Sequence, residues 1–463
     1  MSLKMLTVAQ KTDILRIWIE KGQERCDAMN RHAIKRLEQW KDSKGRKPMI
    51  IRGARQVGKT WLMKEFGRTR FAKTAYVNFD NNDRAKAIFE MDFDIERMIL
   101  ALSAETGVEI QAEDTLLIFD EVQEAPKALT SLKYFYENAP QYCIVAAGSL
   151  LGVAIHHGTS FPVGKVDFMD LYPLSYTEFL EALGEERFAK LLSAGDTEMM
   201  RVFKSKFIER LKEYYFVGGM PEAVLTFIEK KNYQSVREIQ KNLLNYYQQD
   251  FSKHAQTNLI PRLNLVWNSI PGQLAKENRK YIYGQVREGA RAKDFELAIQ
   301  WLLDCGLIHK VHRVSKPQLP LKAYMELDTF KMFLLDVGLL AAMGDLSEKV
   351  ILEGSRIFTE FKGALTEQYV LQQLVSELDV TAYYYSTPNS RGEIDFLLQG
   401  DTSVIPLEVK AEENLKARSL RAFCEKYNPR FAVRSSMSDF REQDWMTNVP
   451  LYDLLYLANY LSE

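Results

Sequence analysis

Residues 50–60 read Ile50-Ile51-Arg52-Gly53-Ala54-Arg55-Gln56-Val57-Gly58-Lys59-Thr60. An apolar run leads into the spacing G-x-x-x-x-G-K-T, and a helix-compatible segment follows from Trp61. Three requirements for gripping a triphosphate converge here. Gly53 and Gly58 admit backbone angles that a side chain would block. The N–H groups of Gly53, Ala54, Arg55, Gln56, Val57, Gly58, Lys59, Thr60 and Trp61, at a helix N-terminus, attract anionic oxygens. Lys59 supplies a point charge for the β- and γ-phosphates, and the Thr60 hydroxyl suits Mg²⁺. A chance glycine-rich turn would not need strand, loop and helix in this order.

A second apolar run, Thr115-Leu116-Leu117-Ile118-Phe119, ends in Asp120-Glu121. Buried parallel strands carry such runs, and ligands collect at their carboxyl ends. Asp120 would hold Mg²⁺ through water, and Glu121 would orient or deprotonate an attacking water. A solvated acidic turn is the plain alternative, and the upstream phosphate loop weighs against it. A third run, Cys143-Ile144-Val145-Ala146-Ala147, is followed by Gly148-Ser149. Ser149 would sense the γ-phosphate or the water; a simple strand-ending turn explains it equally well.

Near the C-terminus, Glu393-Ile394-Asp395-Phe396-Leu397-Leu398 alternates as a strand. Residues 399–403 form a turn, and Val404-Ile405-Pro406-Leu407-Glu408-Val409-Lys410 returns. In such a hairpin Asp395 and Glu408 fall nearly opposite, roughly 5 Å apart at Cβ. Like charges there repel unless a proton or a cation intervenes, and Mg²⁺ or Mn²⁺ is the natural resolution. Glu367 shares a helical stripe with Leu371, Leu374 and Leu378. That stripe faces inward, a buried carboxylate needs a partner, and a metal would serve. The alternative is an exposed hairpin whose Glu and Lys simply pair.

The chain that must position these groups has 463 residues, too many for one core. Its composition, 46% hydrophobic and 27% charged, is that of a soluble globular protein. A formal net charge of -1 excludes wholesale polyanion binding while leaving room for a local basic groove. The four cysteines, Cys26, Cys143, Cys305 and Cys424, make no C-x-x-C pair and fit a reducing cytoplasm. The six histidines form no ligand-spaced cluster, so His309 and His312 read as strand residues. No signal-peptide pattern and no apolar stretch long enough for a bilayer is present, so no membrane role is expected.

The segments GARQVGKT, LLIFDE, AAGSLL and LYPLSYTEF, in this order, resemble the AAA+-type P-loop ATPases of bacteria and archaea that carry a C-terminal domain of unknown function. The resemblance implies an ATP-binding α/β core with a helical lid, a winged helix and a C-terminal fold similar to PD-(D/E)XK nucleases. By it, Asp395 and Glu408 hold a second metal, Lys410 steadies the attacking water or the phosphate, and Glu367 supports the metal. Arg391 and Arg418 would contact a nucleic-acid backbone. One departure stands out. Many relatives carry an arginine shortly before the L-x-P-L-S segment, and here only Lys165 occupies that stretch. Lysine lacks arginine's planar fork, so no arginine finger is assigned.

These readings divide the chain into an N-terminal helical segment (1–45), a P-loop core (46–174), a helical lid (175–258), a winged helix (259–345) and an α/β restriction-endonuclease-like domain (346–463). The lid helices are expected at 177–183, 198–215 and 233–251. The winged helix is expected to use 263–270 and 291–305, with a wing from 306–314 and 321–327. Its basic groups are Arg291 and Lys293 on the helix, offset by Asp294 and Glu296, and Lys310, His312, Arg313 and Lys316 on the wing. DNA or RNA binding by this module and packing between domains are equally supported. Three functions follow: an ATPase coupled to a nuclease-type domain, a nucleotide-dependent switch or adaptor for a protein or nucleic-acid partner, and a ring-forming remodeller.

Overall fold

A computed structural model describes residues 30–148, 161–276, 280–353, 359–387, 392–413 and 417–462. Ser149, Arg391 and residues 1–29 of the N-terminal segment lie outside the described residues.

Five strands form the first sheet: β1 (Met49–Arg52), β2 (Lys73–Asn78), β3 (Thr115–Asp120), β4 (Cys143–Ala147) and β5 (Asp167–Asp170). Their order is β2-β3-β4-β1-β5, and every pairing is parallel. All of β3 and β4 is buried, because helices cover both faces. On one face α1 (Ala33–Asp42) and α2 (Lys59–Arg70) deliver Leu37, Trp40, Leu62 and Phe66. On the other, α3 (Asp83–Met91), α4 (Ile95–Thr106) and α5 (Pro126–Asn138) deliver Phe89, Met98, Leu102, Leu132 and Phe135. The edge strand β5 has no apolar run to announce it, since only Met169 of its four residues is buried.

The helical region begins at α6 (Tyr176–Ala182), whose Ser175 and Glu178 close a capping box. The single helix expected at 198–215 is two, α7 (Thr197–Val202) and α8 (Lys204–Val217), broken at Phe203. Next come α9 (Pro221–Lys230) and the 22-residue α10 (Tyr233–His254).

Two further helices, α11 (Ile260–Leu274) and α12 (Ala292–Asp304), precede the hairpin β6 (Ile308–Val314) and β7 (Met325–Leu334). Phe295, Ile299 and Leu302 of α12 face inward as the spacing requires, while Leu303 is half-buried. The expected wing, 306–314 and 321–327, has its second strand later in the chain. Residues 321–324 make a 3-10 turn and the second strand starts at Met325. Moreover, β6 pairs in parallel with β8 (Tyr383–Ser386), so the hairpin is the edge of a larger sheet. With β9 (Glu393–Gln399), β10 (Val404–Val409), β11 (Val433–Ser436), β12 (Arg441–Gln443) and β13 (Met446–Pro450), the order is β12-β13-β11-β10-β9-β8-β6-β7. This mixed eight-stranded sheet crosses the 345/346 boundary. It packs with α13 (Val337–Met343), α14 (Thr359–Ser376) and α15 (Arg418–Tyr427). Among the described residues no helix is long and apolar enough to cross a membrane.

Candidate nucleotide-binding site

The loop after β1 turns at once because Gly53 sits at φ 147° against the next strand's exit. A Cβ there would collide with the Leu171 carbonyl oxygen. Gln56 (φ 65°) and Gly58 (φ 96°) are left-handed, and α2 starts at Lys59. A positive φ is costly for glutamine, and such strain concentrates at ligand loops. Apolar Leu62, Met63 and Phe66 then anchor α2 to the sheet.

Lys59 is buried, and its Nζ donates to the carbonyls of Gly53 (2.9 Å) and Ala54 (2.8 Å). Burial lowers its pKa to about 8; Glu121 and Asp120 oppose that shift, and Arg55 adds to it. The Thr60 hydroxyl donates to Asp120 Oδ2 at 2.7 Å, joining the loop to the tip of β3. Tyr76, from the neighbouring β2, donates to the same oxygen at 2.9 Å. Its phenol is pushed upward by burial first and by Asp120 second. Glu121 leaves the strand in a left-handed conformation (φ 51°), and Gln123 Nε2 donates to its Oε2 at 2.6 Å.

Lys59, Thr60 and Glu121 line a cavity of about 610 Å³ together with Arg55, Gln56, Gly58 and Trp61, and Asp120 stands behind Thr60. The rest of the wall is α10, through Tyr246, Tyr247, Gln249 and Asp250. Tyr247 donates its hydroxyl to the Arg55 carbonyl at 2.9 Å, and Asp250 is ion-paired with the Arg55 guanidinium. The sequence reading missed this lid contribution. It also missed Arg31, whose buried guanidinium donates to the Val57 carbonyl at 2.9 Å. A larger cleft, about 880 Å³, backs onto Gly53 and Ala54, but Lys59, Thr60 and Glu121 do not line it. The converging chemistry belongs to the smaller cavity. Lys165 is engaged on the surface with Glu137 at 3.0 Å.

In the second sheet, β9 and β10 pair antiparallel through Leu407↔Phe396, the register that sets Glu408 against Asp395. Asp395 Oδ2 accepts the Val409 N–H at 2.7 Å. Glu408 is buried; Lys410 Nζ meets its Oε1 at 2.8 Å, and its Oε2 has no hydrogen-bond partner. Burial raises the Glu408 carboxyl against the opposing pull of Lys410, and Asp395 raises it further. Glu367 is inward-facing as expected, yet the partner found for it is an ammonium. Lys331, fully buried on β7, lies 3.5 Å from Glu367 and 2.5 Å from Glu393. Among the described residues no three of His, Cys, Asp and Glu gather at metal-holding distance. Arg418 opens α15 as an exposed residue.

The parallel sheet, the phosphate loop and the acidic strand tip together have the form of a P-loop-like core. Comparison agrees: residues 45–180 match the family model of an AAA domain. Residues 208–350 and 362–454 match two domains of unknown function, DUF8612 and DUF4143. No curated protein matches the chain. Among solved structures it is similar to the Walker-type ATPase paby2304 of Pyrococcus abyssi, with 15% identity and TM-score 0.45, covering 68% of this chain and 96% of that one. It is also similar to the Aeropyrum pernix ORC1 protein in complex with DNA, with 14% identity and TM-score 0.30, covering 68% and 93%. The Cdc6p of Pyrobaculum aerophilum gives 10% identity and TM-score 0.25, covering 69% and 95%.

Proposed function

We propose that the chain binds ATP with Mg²⁺, hydrolyses it, and uses the nucleotide state to set the arrangement of its lid and C-terminal module. One observation carries this reading. Thr60 and Asp120, distant in sequence, meet at 2.7 Å beside the buried ammonium of Lys59. The hydroxyl and carboxylate are hard oxygen donors and fit Mg²⁺. When bound, the ion would neutralise charge on the phosphates. Lys59 holds its charge over the loop, ready to exchange the two carbonyls for phosphate oxygens. Glu121, steadied by Gln123, orients the attacking water. Through Tyr247 and Asp250, a lid helix rests on the loop that would carry the phosphates, which gives nucleotide a direct route to the rest of the chain. Lys59→Ala is expected to abolish ATP binding, and Glu121→Gln to bind ATP without turning it over, both read by nucleotide titration and phosphate release. Unchanged affinity in Lys59→Ala overturns the reading.

A second reading adds metal-dependent cleavage at the C-terminal site. The buried, unpartnered Oε2 of Glu408, set against Asp395, favours it. Asp395 and Glu408 would hold Mg²⁺ or Mn²⁺, and Lys410 would steady the water or the phosphate, with Glu367 engaged by Lys331. Its test is Mn²⁺-dependent cutting of DNA or RNA by the full chain, with Lys410→Ala as control; equal cutting by that variant removes the site from the chemistry.

A further inference from the structure

Two consecutive residues at the start of α1, Arg31 and His32, reach in different directions. The Arg31 guanidinium is buried, and each of its nitrogens has its own acceptor. Nη1 donates to the Val57 carbonyl (2.9 Å), Nη2 to the Tyr172 carbonyl (2.7 Å) and Nε to Glu178 Oε1 (3.1 Å). Those acceptors belong to the phosphate loop, to the chain leaving β5 and to the lid helix α6. A planar guanidinium faces three such partners at once, and an ammonium does not reproduce that geometry.

The bond to Val57 bears on the phosphates. A trans peptide is planar, so its C=O and the following N–H point opposite ways. Holding the Val57 carbonyl toward Arg31 therefore turns the Gly58 N–H away from Arg31. Gly58 lines the nucleotide cavity and Arg31 does not. Gly58 is left-handed at φ 96°, and glycine moves through φ with little penalty. The direction of this peptide is thus set by what its carbonyl binds. Arg31 stands close beside it: a Cβ on Gly58 would lie 3.6 Å from Arg31 Nη1.

Arg31 is held in turn from the far side. Glu178 Oε1 also accepts the His32 N–H at 2.7 Å, and Glu178 Oε2 accepts the Ser175 N–H at 3.0 Å. The His32 ring lies between two carboxylates, with Nε2 3.3 Å from Glu181 Oε1 and Nδ1 3.4 Å from Glu377 Oε2. Burial opposes a charge on the ring, and the two carboxylates outweigh it, lifting its pKa to about 10. His32 is thus an imidazolium that donates to both. Glu377 directly follows α14 and also accepts the hydroxyls of Ser175 and Thr177. One side chain of the dipeptide therefore grips the phosphate loop while the other grips the C-terminal module. Glu178 binds both residues.

We propose that Arg31 is a positioning residue that aims the Gly58 N–H at phosphate, and that His32 makes this aim depend on Glu377 of the C-terminal module. This control rests on the ATP-binding reading and names a regulation of that same site. The experiment is calorimetric binding of ATP and of inorganic tripolyphosphate to the full chain. It compares the wild type, Arg31→Lys, Glu377→Gln and the double variant, each at a temperature where circular dichroism shows it folded. Arg31→Lys keeps the charge and loses the fork; it is expected to weaken both ligands by about tenfold, the worth of a hydrogen bond. The loss is shared because the amide meets phosphate and not the base. Glu377→Gln keeps an acceptor for the two hydroxyls and removes the charge facing His32. It is expected to weaken both ligands by about threefold alone and to add nothing beside Arg31→Lys, since members of one network are not additive. A residue that only supported the fold would lower the melting temperature and leave these affinities unchanged. Unchanged affinity in Arg31→Lys overturns the proposal, as does a loss for ATP that spares tripolyphosphate. Additive losses in the double variant overturn the His32 link. Should Arg31→Lys fail to fold, Glu377→Gln decides alone, and its unchanged affinity overturns the proposal. A wild type that binds neither ligand sinks the ATP-binding reading itself; a wild type that binds both, with variants that bind equally well, sinks the positioning role alone.

Discussion

Asp250, near the end of the long lid helix α10, is ion-paired with Arg55 inside the phosphate loop. The pair places a carboxylate on the wall of the cavity that the triphosphate would enter. It also diverts a guanidinium that could otherwise face phosphate. Asp250→Asn removes the like charge and frees Arg55. At about 10 Å and an effective dielectric near 20, a unit-charge contact is worth roughly 1–2 kcal/mol. ATP affinity is therefore expected to tighten by about fivefold or more, read by fluorescent-nucleotide titration. A weaker or unchanged affinity would show that the pair serves only to hold the lid.

Lys59 gives a pH signature. Burial lowers its pKa from the ordinary lysine value to about 8. The charged form is the one that meets phosphate. Below about 8 it is already protonated, and affinity stays flat on this account. Above it, binding must first take up a proton, so the dissociation constant rises with pH by up to about tenfold per unit. Calorimetry at pH about 9, in two buffers of different ionisation enthalpy, is expected to show net proton uptake of up to about one. No uptake would mean that Lys59 stays charged throughout.

What the sequence made legible was local. The β1–loop–α2 unit and the Asp120-Glu121 tip of β3 were readable because apolar runs and glycine spacing act over a few residues. The opposition of Asp395 and Glu408 was readable because a short turn, the four residues 400–403, fixes the register. What escaped was tertiary. Asp250 and Tyr247 look like ordinary residues of an amphipathic helix until α10 lies on the phosphate loop. The strand β5 has two acids in four residues and is held by its neighbour β1 rather than by its own pattern. The wing's second strand was placed too early because residues 321–327 alternate, whereas the buried part of β7 is the unbroken run from Thr329 to Leu334. A run buried on both sides signals a strand covered on both faces, and this part of β7 is so covered although it is the sheet's edge strand. Glu367 was rightly placed inward, but its ammonium partner lies on a different element.

That partner, Lys331, supports a stability prediction. It is fully buried between Glu367 and Glu393, with the Tyr384 ring 5.0 Å away. Lys331→Met leaves two carboxylates without their cation. Breaking a buried pair this way costs about 3–5 kcal/mol, so the urea midpoint should fall sharply. Adding Glu367→Gln and Glu393→Gln removes the stranded charges and should recover most of the loss. A single variant as stable as the wild type would show that the carboxylates are satisfied without Lys331.

The last prediction concerns the joint between lid and C-terminal module. Asp336, buried at the N-cap of α13, accepts the N–H of Gly219 (2.6 Å) and of Leu339 (2.9 Å) and the Gln372 Nε2 amide (3.1 Å). Gly219 in turn accepts the Leu174 N–H at 2.7 Å, and a Cβ at Gly219 would strike the Leu174 carbonyl. Gln372, on α14, also donates to the Tyr214 hydroxyl (2.9 Å) and accepts the Val337 N–H (2.9 Å). One carboxylate thus ties the Gly218-Gly219 turn, α13 and α14 together. Burial pushes its pKa up, and these donors, with the Gly338 N–H, pull the other way. Asp336→Asn presents an amide N–H₂ to at least one of those donors and should cost about 1.5–3 kcal/mol, the worth of a hydrogen bond to a charged group. Because Asp336 and Gln372 share the network, a double-mutant cycle with Gln372→Ala should show a coupling of about 0.5–3 kcal/mol. Additive losses in that cycle would mean that the lid and the C-terminal helix are held independently, and that nucleotide-driven lid movement has no rigid joint through which to reach the second sheet.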